Sequence, residues 1–320
     1  MRLFEHPDFE QALLLAAADL GLAEQFVEKD YYVTEILRII ASGFGDKVMF
    51  KGGTSLSKGW GLITRFSEDI DLFVNPDRFN PRPGKNKLDR ILKELAEGVA
   101  EHPALTWRLE EGKTIGGLGR HDNFAYESRF VELPGVRSAV RLEPGIQSGD
   151  FPTEVVPITS LVAQYLAEQG SREFAEAEDL AGFDMSLLHY RRTFVEKMFA
   201  LHGKVVRLQE EGHPLGRNAR HYPDLYALAG EHEVRSMLAS PEYEEIRRDY
   251  DRKSREFFAG SYRPPSDLSF VDSPALFPDA SLRDRLAPEF EEQCKLLFAG
   301  DDYPAFEDVL ARFQEIRELV

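Results

Sequence analysis

Residues 50–74 read FKGGTSLSKGWGLITRFSEDIDLFV, with a glycine pair at the start and two aspartates, one residue apart, near the end. Side chains of a strand alternate between its faces. Asp69, Asp71 and Phe73 then share one face, and Ile70, Leu72 and Val74 share the other. Two carboxylates on one face of an apolar strand repel each other and are costly to desolvate unless a cation or hydrogen bonds compensate. A magnesium-type ion, which takes oxygen ligands, supplies that compensation. A second run, Val140–Arg141–Leu142–Glu143, alternates in the same way and sets Arg141 and Glu143 on one face. If it pairs beside the first, Asp69, Asp71 and Glu143 converge as metal ligands. Such a set suits nucleotidyl transfer, in which metal ions orient a nucleoside triphosphate and activate an acceptor hydroxyl for in-line attack.

The glycines fit the same chemistry. Gly52 and Gly53 let the backbone approach a phosphate closely. The helix expected after them presents N–H groups to that anion, and Thr54 and Ser55 add hydroxyls and candidate N-caps. Each feature alone has an ordinary reading: a solvated strand end for the aspartates, a turn and cap for GGTS, an exposed strand residue for Glu143. The ordered combination of strand, Gly-Gly-Thr, helix and strand with Asp-x-Asp is far more specific.

The surrounding elements must position these groups. Residues 8–42 carry apolar residues at helical spacing, with a Gly-Leu break, and VMF is a short strand ahead of the glycines. The proline-rich NPDRFNPRPGKNK is a loop, LDRILKELAEGVAEH a helix, and VRSAVRLEPGI a strand expected to stop at Pro144. GKTIGGLGRHDN (112–123) fits a hairpin loop or a mobile loop over the site. From about residue 158 the patterns turn helical. We therefore expect a mixed α/β domain with N-terminal helices over 1–157 and a mostly α-helical domain over 158–320.

Composition narrows the class further. The chain has 320 residues with 42% hydrophobic content, enough for one large domain or two ordinary ones. No apolar run approaches the length needed to cross a bilayer, and the N-terminus lacks a signal-peptide pattern. The single cysteine, Cys294, rules out an intramolecular disulfide, fits a reducing cytoplasm and excludes a cysteine-based zinc site. A net charge of −17 argues against a protein that coats nucleic acid non-specifically, yet it is compatible with a local basic cleft that grips an RNA end.

Strand–GG[ST]–helix–DxD resembles the signature of the DNA polymerase β-like nucleotidyltransferase superfamily. The longer KGGTSLSKGWGLITRFSEDIDL is similar to the AbiEii/AbiGii toxin family within it. EKDYYVTEILR (28–38), RRTFVEKMFALH (191–202) and RHYPDLYALA (220–229) resemble further motifs of that family, in order. The resemblance implies an α+β fold: a polymerase β-like nucleotidyltransferase domain, its small mixed sheet flanked by helices, followed by the helical domain. It implies the toxin of a bacterial toxin–antitoxin or phage-defence system. Such an enzyme moves NMP from an NTP, with Mg2+ or Mn2+, to an acceptor hydroxyl, foremost a tRNA 3′ end, and releases pyrophosphate. The implied protein partner is a winged-helix antitoxin, with direct contact left open. By residue, Gly52, Gly53 and Thr54 match the phosphate turn, and Ser67, Asp69 and Asp71 match the end of the first motif. Lys197 and Asp224 match positions needed for activity, Lys197 reaching the triphosphate and Asp224 orienting the lysine. Pro223 departs mildly from the pattern, at a place where a helix tolerates proline in its first turn.

Read without the resemblance, Lys197 lies at the edge of the Phe194–Met198–Leu201 face, where a lysine ordinarily snorkels to solvent. Arg191, Arg192 and Arg220 are either an exposed face or phosphate contacts, and Tyr222 and Tyr226 either pack together or stack on a base. Two other functions stay open: a nucleotidyltransferase acting on a small molecule such as an antibiotic, and an inactive nucleotide-binding or regulatory module.

Overall fold

The computed structural model describes residues 1–65, 69–133, 136–170, 174, 177–298 and 302–320. The chain divides into two compact units. The first gathers Met1–Gly59, Phe66–Ile146 and Thr153–Leu187, and the second gathers Trp60–Arg65, Gln147–Pro152 and Leu188–Val320.

The first unit is built on a mixed sheet. Its strands are β1 (Val48–Lys51), β2 (Asp69–Val74), β3 (Thr106–Trp107), β4 (Lys113–Ile115), β5 (Gly119–Ala125), β6 (Ala139–Gly145), β7 (Thr153–Ile158) and β8 (Phe183–Leu188). They run in the order β3-β5-β6-β2-β1-β8-β7, with β4 paired to β5 as a hairpin. β1 is antiparallel to β2 and parallel to β8, and β2 is parallel to β6. Val48, Phe50, Ile70, Leu72, Val74, Val140 and Leu142 are all buried, and on the opposite face of β1 and β2 Met49, Asp69 and Phe73 are buried as well. Burying these side chains is the main force holding the central strands.

Two features differ from the sequence expectation. β8 lies inside the stretch read as helical. Its Met185, Leu187 and Leu188 are buried, and Leu187 pairs with Phe50 at the centre of the sheet. Six residues between helical patterns are too short a run for periodicity to decide. β6 also passes through Pro144 instead of stopping there. Pro144 faces Leu72 in the parallel pairing, while the pairs with β5 pass from Gly119↔Gly145 to Asp122↔Leu142. A proline has no N–H to give to a ladder, so one neighbour's bonding lapses and the strand continues on the other.

The flanking helices of this unit are α1 (Phe9–Leu20), α2 (Glu24–Phe44), α3 (Gly52–Lys58), α4 (Lys85–Ala100) and α5 (Leu161–Glu168). α2 ties them together through its polar residues as well as its apolar ones. Glu28 accepts from Ser128 Oγ at 2.5 Å and from the Arg129 N–H at 2.8 Å, and Lys29 donates to the Arg137 carbonyl at 3.2 Å. Asp30 holds Lys58 Nζ and the Leu161 N–H, both at 2.7 Å, and Tyr31 donates to Asp179. Four successive residues thus grip several separate segments, Asp30 alone holding two. Lys58 is the last residue of α3, so Asp30 anchors the far end of the helix that follows the glycine turn.

The second unit is helical: α6 (Tyr190–Glu211), α7 (His221–Gly230), α8 (His232–Leu238), α9 (Pro241–Phe258), α10 (Ala280–Leu297) and α11 (Phe306–Glu315). α6 buries Phe194, Val195, Met198, Leu201 and Val205. Pro223 sits in the first turn of α7. Among the described residues no helix is long and apolar enough to cross a membrane.

Three histidines are buried, His102 in the first unit and His189 and His202 in the second, and burial lowers each to about 4. Their folded pKa lies below the unfolded value. Stability is therefore full above the unfolded pKa and is lost as pH falls from there toward about 4, where the folded state also takes up protons. Each buried histidine is expected to cost on the order of 1 kcal/mol per pH unit in that window. Urea midpoints measured from neutral to mildly acid pH should fall, and His202→Asn should flatten the slope.

Candidate active site

The antiparallel register of β1 and β2 sets Lys51 opposite Asp71, and the chain turns at the next residue, Gly52. Gly52 has φ +79°, and a Cβ built on it would lie 2.1 Å from Asp71 Oδ2. The Asp71 carboxylate therefore lies directly on the Gly52 α-carbon. Any side chain there would strain the backbone and displace the carboxylate. Thr54 Oγ1 donates to the Asp69 carbonyl at 2.5 Å, stitching the first turn of α3 to the first residue of β2. Ser55 Oγ donates to the Gly52 carbonyl at 2.9 Å.

These bonds alter two expectations. α3 begins at Gly52, preceded by Lys51 in extended conformation, so neither Thr54 nor Ser55 is its N-cap. Both hydroxyls are buried and donate to main-chain carbonyls, whereas the sequence expectation turned them toward a phosphate. Gly52 and Gly53 keep the backbone bare at the turn. Ser67 lies outside the described residues.

Next to this turn, Asp71 pairs with Glu143 and Asp69 pairs with Arg141 across the β2–β6 ladder. The three carboxylate-bearing positions are thus adjacent, as their alternation implied. Glu143 Oε1 lies 3.7 Å from Arg141 Nη1 and 3.7 Å from His121 Nε2. Among the described residues no group of three or more His, Cys, Asp or Glu side chains is arranged to hold a metal ion. Asp69 and Asp71, two oxygen donors on a rigid strand, have the chemistry a hard divalent cation takes. Glu143 has the register to join them, but its side chain is engaged by two basic groups.

In the second unit, α6 and α7 bring Lys197 and Asp224 together. Lys197 Nζ donates to Asp224 Oδ2 at 2.8 Å and lies 3.4 Å from His221 Nδ1. The lysine is 7% exposed, so it does not snorkel, and the aspartate is fully buried. The same carboxylate receives a side chain that sequence reasoning overlooked. Arg65 Nε donates to Oδ1 at 2.5 Å and Nη2 to Oδ2 at 2.8 Å, a bidentate fork. The available signal was an arginine set in the run GLITRF, four residues ahead of Asp69. A charge amid apolar residues implies a buried partner.

Burial pushes the Asp224 carboxyl up, but the Arg65 and Lys197 charges outweigh it and hold the group well below the usual carboxylate range. Burial also lowers Lys197, with Asp224 opposing and Arg65 assisting. Burial, and then the Lys197 charge, drives His221 far below the ordinary imidazole value. A neutral imidazole facing an ammonium through Nδ1 accepts there, which places its proton on Nε2.

The neighbouring basic and aromatic residues have internal roles. Arg192 is buried, donating to Glu196 at 2.9 Å, Asp249 at 2.6 Å and the Phe151 carbonyl at 2.9 Å. Arg191 pairs with Glu233 at 2.7 Å and Glu242 at 3.2 Å. Tyr222 is buried against Phe306 with its hydroxyl on the Ala275 carbonyl, while Arg312 covers the Tyr226 ring, so the two tyrosines do not stack together.

Gly52→Ala is expected to lower stability by about 1–3 kcal/mol from the left-handed backbone alone. It should also abolish activity that depends on Asp71; thermal melts and an activity assay check both. Asp224→Ala strands two buried cations and is expected to cost about 3–5 kcal/mol in urea unfolding.

The chain was then compared with known proteins. No curated protein matches it. The structure is similar to that of MenT4, a nucleotidyltransferase toxin from Mycobacterium tuberculosis H37Rv, with a TM-score of 0.51 and 17% identity over 96% of each chain. At that identity the likeness is one of fold. The model of the family described as nucleotidyl transferase AbiEii toxin, type IV toxin–antitoxin system, matches residues 35–312. That span takes in the glycine turn, both aspartates of β2, Glu143, Arg65, Lys197 and Asp224, and the chain belongs to the AbiEii family of nucleotidyltransferase toxins.

Proposed function

We propose that the chain transfers a nucleoside monophosphate from an NTP to the 3′-terminal hydroxyl of a tRNA, in the cytoplasm, as the toxin of a pair whose partner is a winged-helix antitoxin. The observation that carries this reading is the seat of the Asp71 carboxylate on the Gly52 α-carbon, with Thr54 tying Asp69 to the same turn. It joins an anion-receiving backbone to two oxygen ligands within one small structure.

Asp69 and Asp71 are the proposed ligands of a magnesium or manganese ion, with Glu143 the third once it leaves Arg141 and His121. Such an ion, when bound, neutralises triphosphate charge and acidifies the acceptor hydroxyl. The bare backbone at Gly52 and Gly53 receives the phosphates. Thr54 keeps that turn fixed to β2, so the phosphate and carboxylate groups move as one body. Activity also depends on Lys197 and Asp224: the ion pair keeps the ammonium charged and oriented, a condition for stabilising negative charge on phosphate oxygens. In the reaction the acceptor oxygen bonds to the α-phosphorus and the α–β bridging bond breaks. The hydroxyl loses its proton and pyrophosphate departs.

The net charge of −17 favours a second reading, transfer to a cationic small molecule such as an aminoglycoside. Incubation of the purified protein with labelled NTPs, and with total RNA or aminoglycosides, separates the two. Label is expected in tRNA, removed by chelator and by Asp69→Ala or Asp71→Ala. Label in the aminoglycoside and none in RNA would overturn the tRNA reading.

A further inference from the structure

We propose that Arg65 is a positioning residue for nucleotidyl transfer: its bidentate grip on Asp224 fixes the carboxylate oxygen that in turn holds the Lys197 ammonium. The inference rests on the proposed transfer reaction.

Geometry is the first support. Arg65 is 2% exposed and Asp224 is fully buried. The guanidinium fork contacts both carboxylate oxygens and so sets the plane of the carboxylate. A single contact from Lys197 could not do that, because a carboxylate held at one oxygen still turns about its bond to Cβ. Oδ2 is shared, taking Arg65 Nη2 and Lys197 Nζ each at 2.8 Å. Turning the plane therefore moves the acceptor that Lys197 follows.

Charge is the second. Arg65 and Lys197 bring two positive charges to one aspartate, and His221 beside them is neutral. Arg220 adds a further positive influence on Lys197. The Lys197 ammonium has three protons and, among the described residues, two side-chain acceptors, Asp224 Oδ2 and His221 Nδ1.

The third support is where Arg65 sits in the chain. Trp60–Arg65 is a short segment of the second unit, fixed at its other end by Trp60 against the rings of His189 and Tyr190, with centroids 4.8 and 5.1 Å away. Trp60, five residues before Arg65, thus ties this segment to the start of α6.

The test uses the full chain with Arg65→Lys and Arg65→Met, reading kcat and KM for the NTP separately. It also reads the pKa of Lys197 from the pH dependence of its acylation by acetic anhydride. Arg65→Lys keeps the charge and loses the fork. It is expected to fold, to lower kcat by about 10–100-fold and to leave KM within about threefold, the split expected of lost orientation. Arg65→Met removes a cation and should raise the Lys197 pKa by about one unit. Wild-type kcat in Arg65→Lys, or a Lys197 pKa unmoved in a folded Arg65→Met, overturns the proposal. If Arg65→Met does not fold, the kcat of Arg65→Lys decides. If the wild-type chain transfers no nucleotide to any acceptor, the reaction assigned above fails. The acylation measurement still reports whether Arg65 governs Lys197.

Discussion

The contact between the Asp71 carboxylate and the bare α-carbon of Gly52 sets the terms for the rest of the first unit. It requires β1 and β2 to pair in one register, because a slip of one residue would turn both aspartates into the core. It requires a glycine with a left-handed backbone at the end of β1. It also requires α3 to start at once, so that Thr54 reaches the Asp69 carbonyl. The buried apolar residues of β1, β2 and β6 hold the register, and Asp30 on α2 holds the far end of α3 through Lys58. A polar contact of a few atoms is thus supported by a hydrophobic core of ordinary size. Rigid support of this kind lets a charged site keep its geometry without rearranging when a substrate arrives.

The second unit uses charge differently. Buried charges there gather partners around them: Asp224 with Arg65 and Lys197, Arg192 with Glu196 and Asp249. Such sets contribute little net stability compared with apolar residues of the same size, and breaking one is costly. Their value lies in direction. A planar fork or a shared oxygen admits few arrangements, so each set fixes side-chain orientation where apolar packing alone would leave choices.

The parts of this architecture that follow from local rules were legible in the sequence. Alternation placed Asp69 and Asp71 on one face and Glu143 in a strand fit to join them, and the register confirms that adjacency. The glycine pair marked the turn. What could not be read was the destination of single polar side chains. Glu28, Lys29, Arg65 and Arg192 are all buried, yet nothing local distinguishes them from the solvated charges of an acidic surface. Apart from Glu196, four residues beyond Arg192, their partners lie tens of residues or more away, as with Arg65 and Asp224, 159 apart, or Glu28 and Ser128, 100 apart. The hydroxyls of Thr54 and Ser55 illustrate the same limit at short range, since a phosphate and a backbone carbonyl are equally good reasons for a hydroxyl beside a glycine turn. β8 escaped because six residues carry too few alternations, and the continuation of β6 through Pro144 depends on having a second neighbour to bond.

The placement of β8 bears on how the protein is made. Ribosomes release a chain from its N-terminus, and β1, with the glycine turn at its end, leaves early. Its parallel neighbour is encoded well over a hundred residues later, with Leu187 opposite Phe50. Until that strand emerges, β1 is an open edge, and the sheet that carries the aspartates is incomplete. A chain that ends before residue 183 therefore lacks the strand that covers this edge of β1.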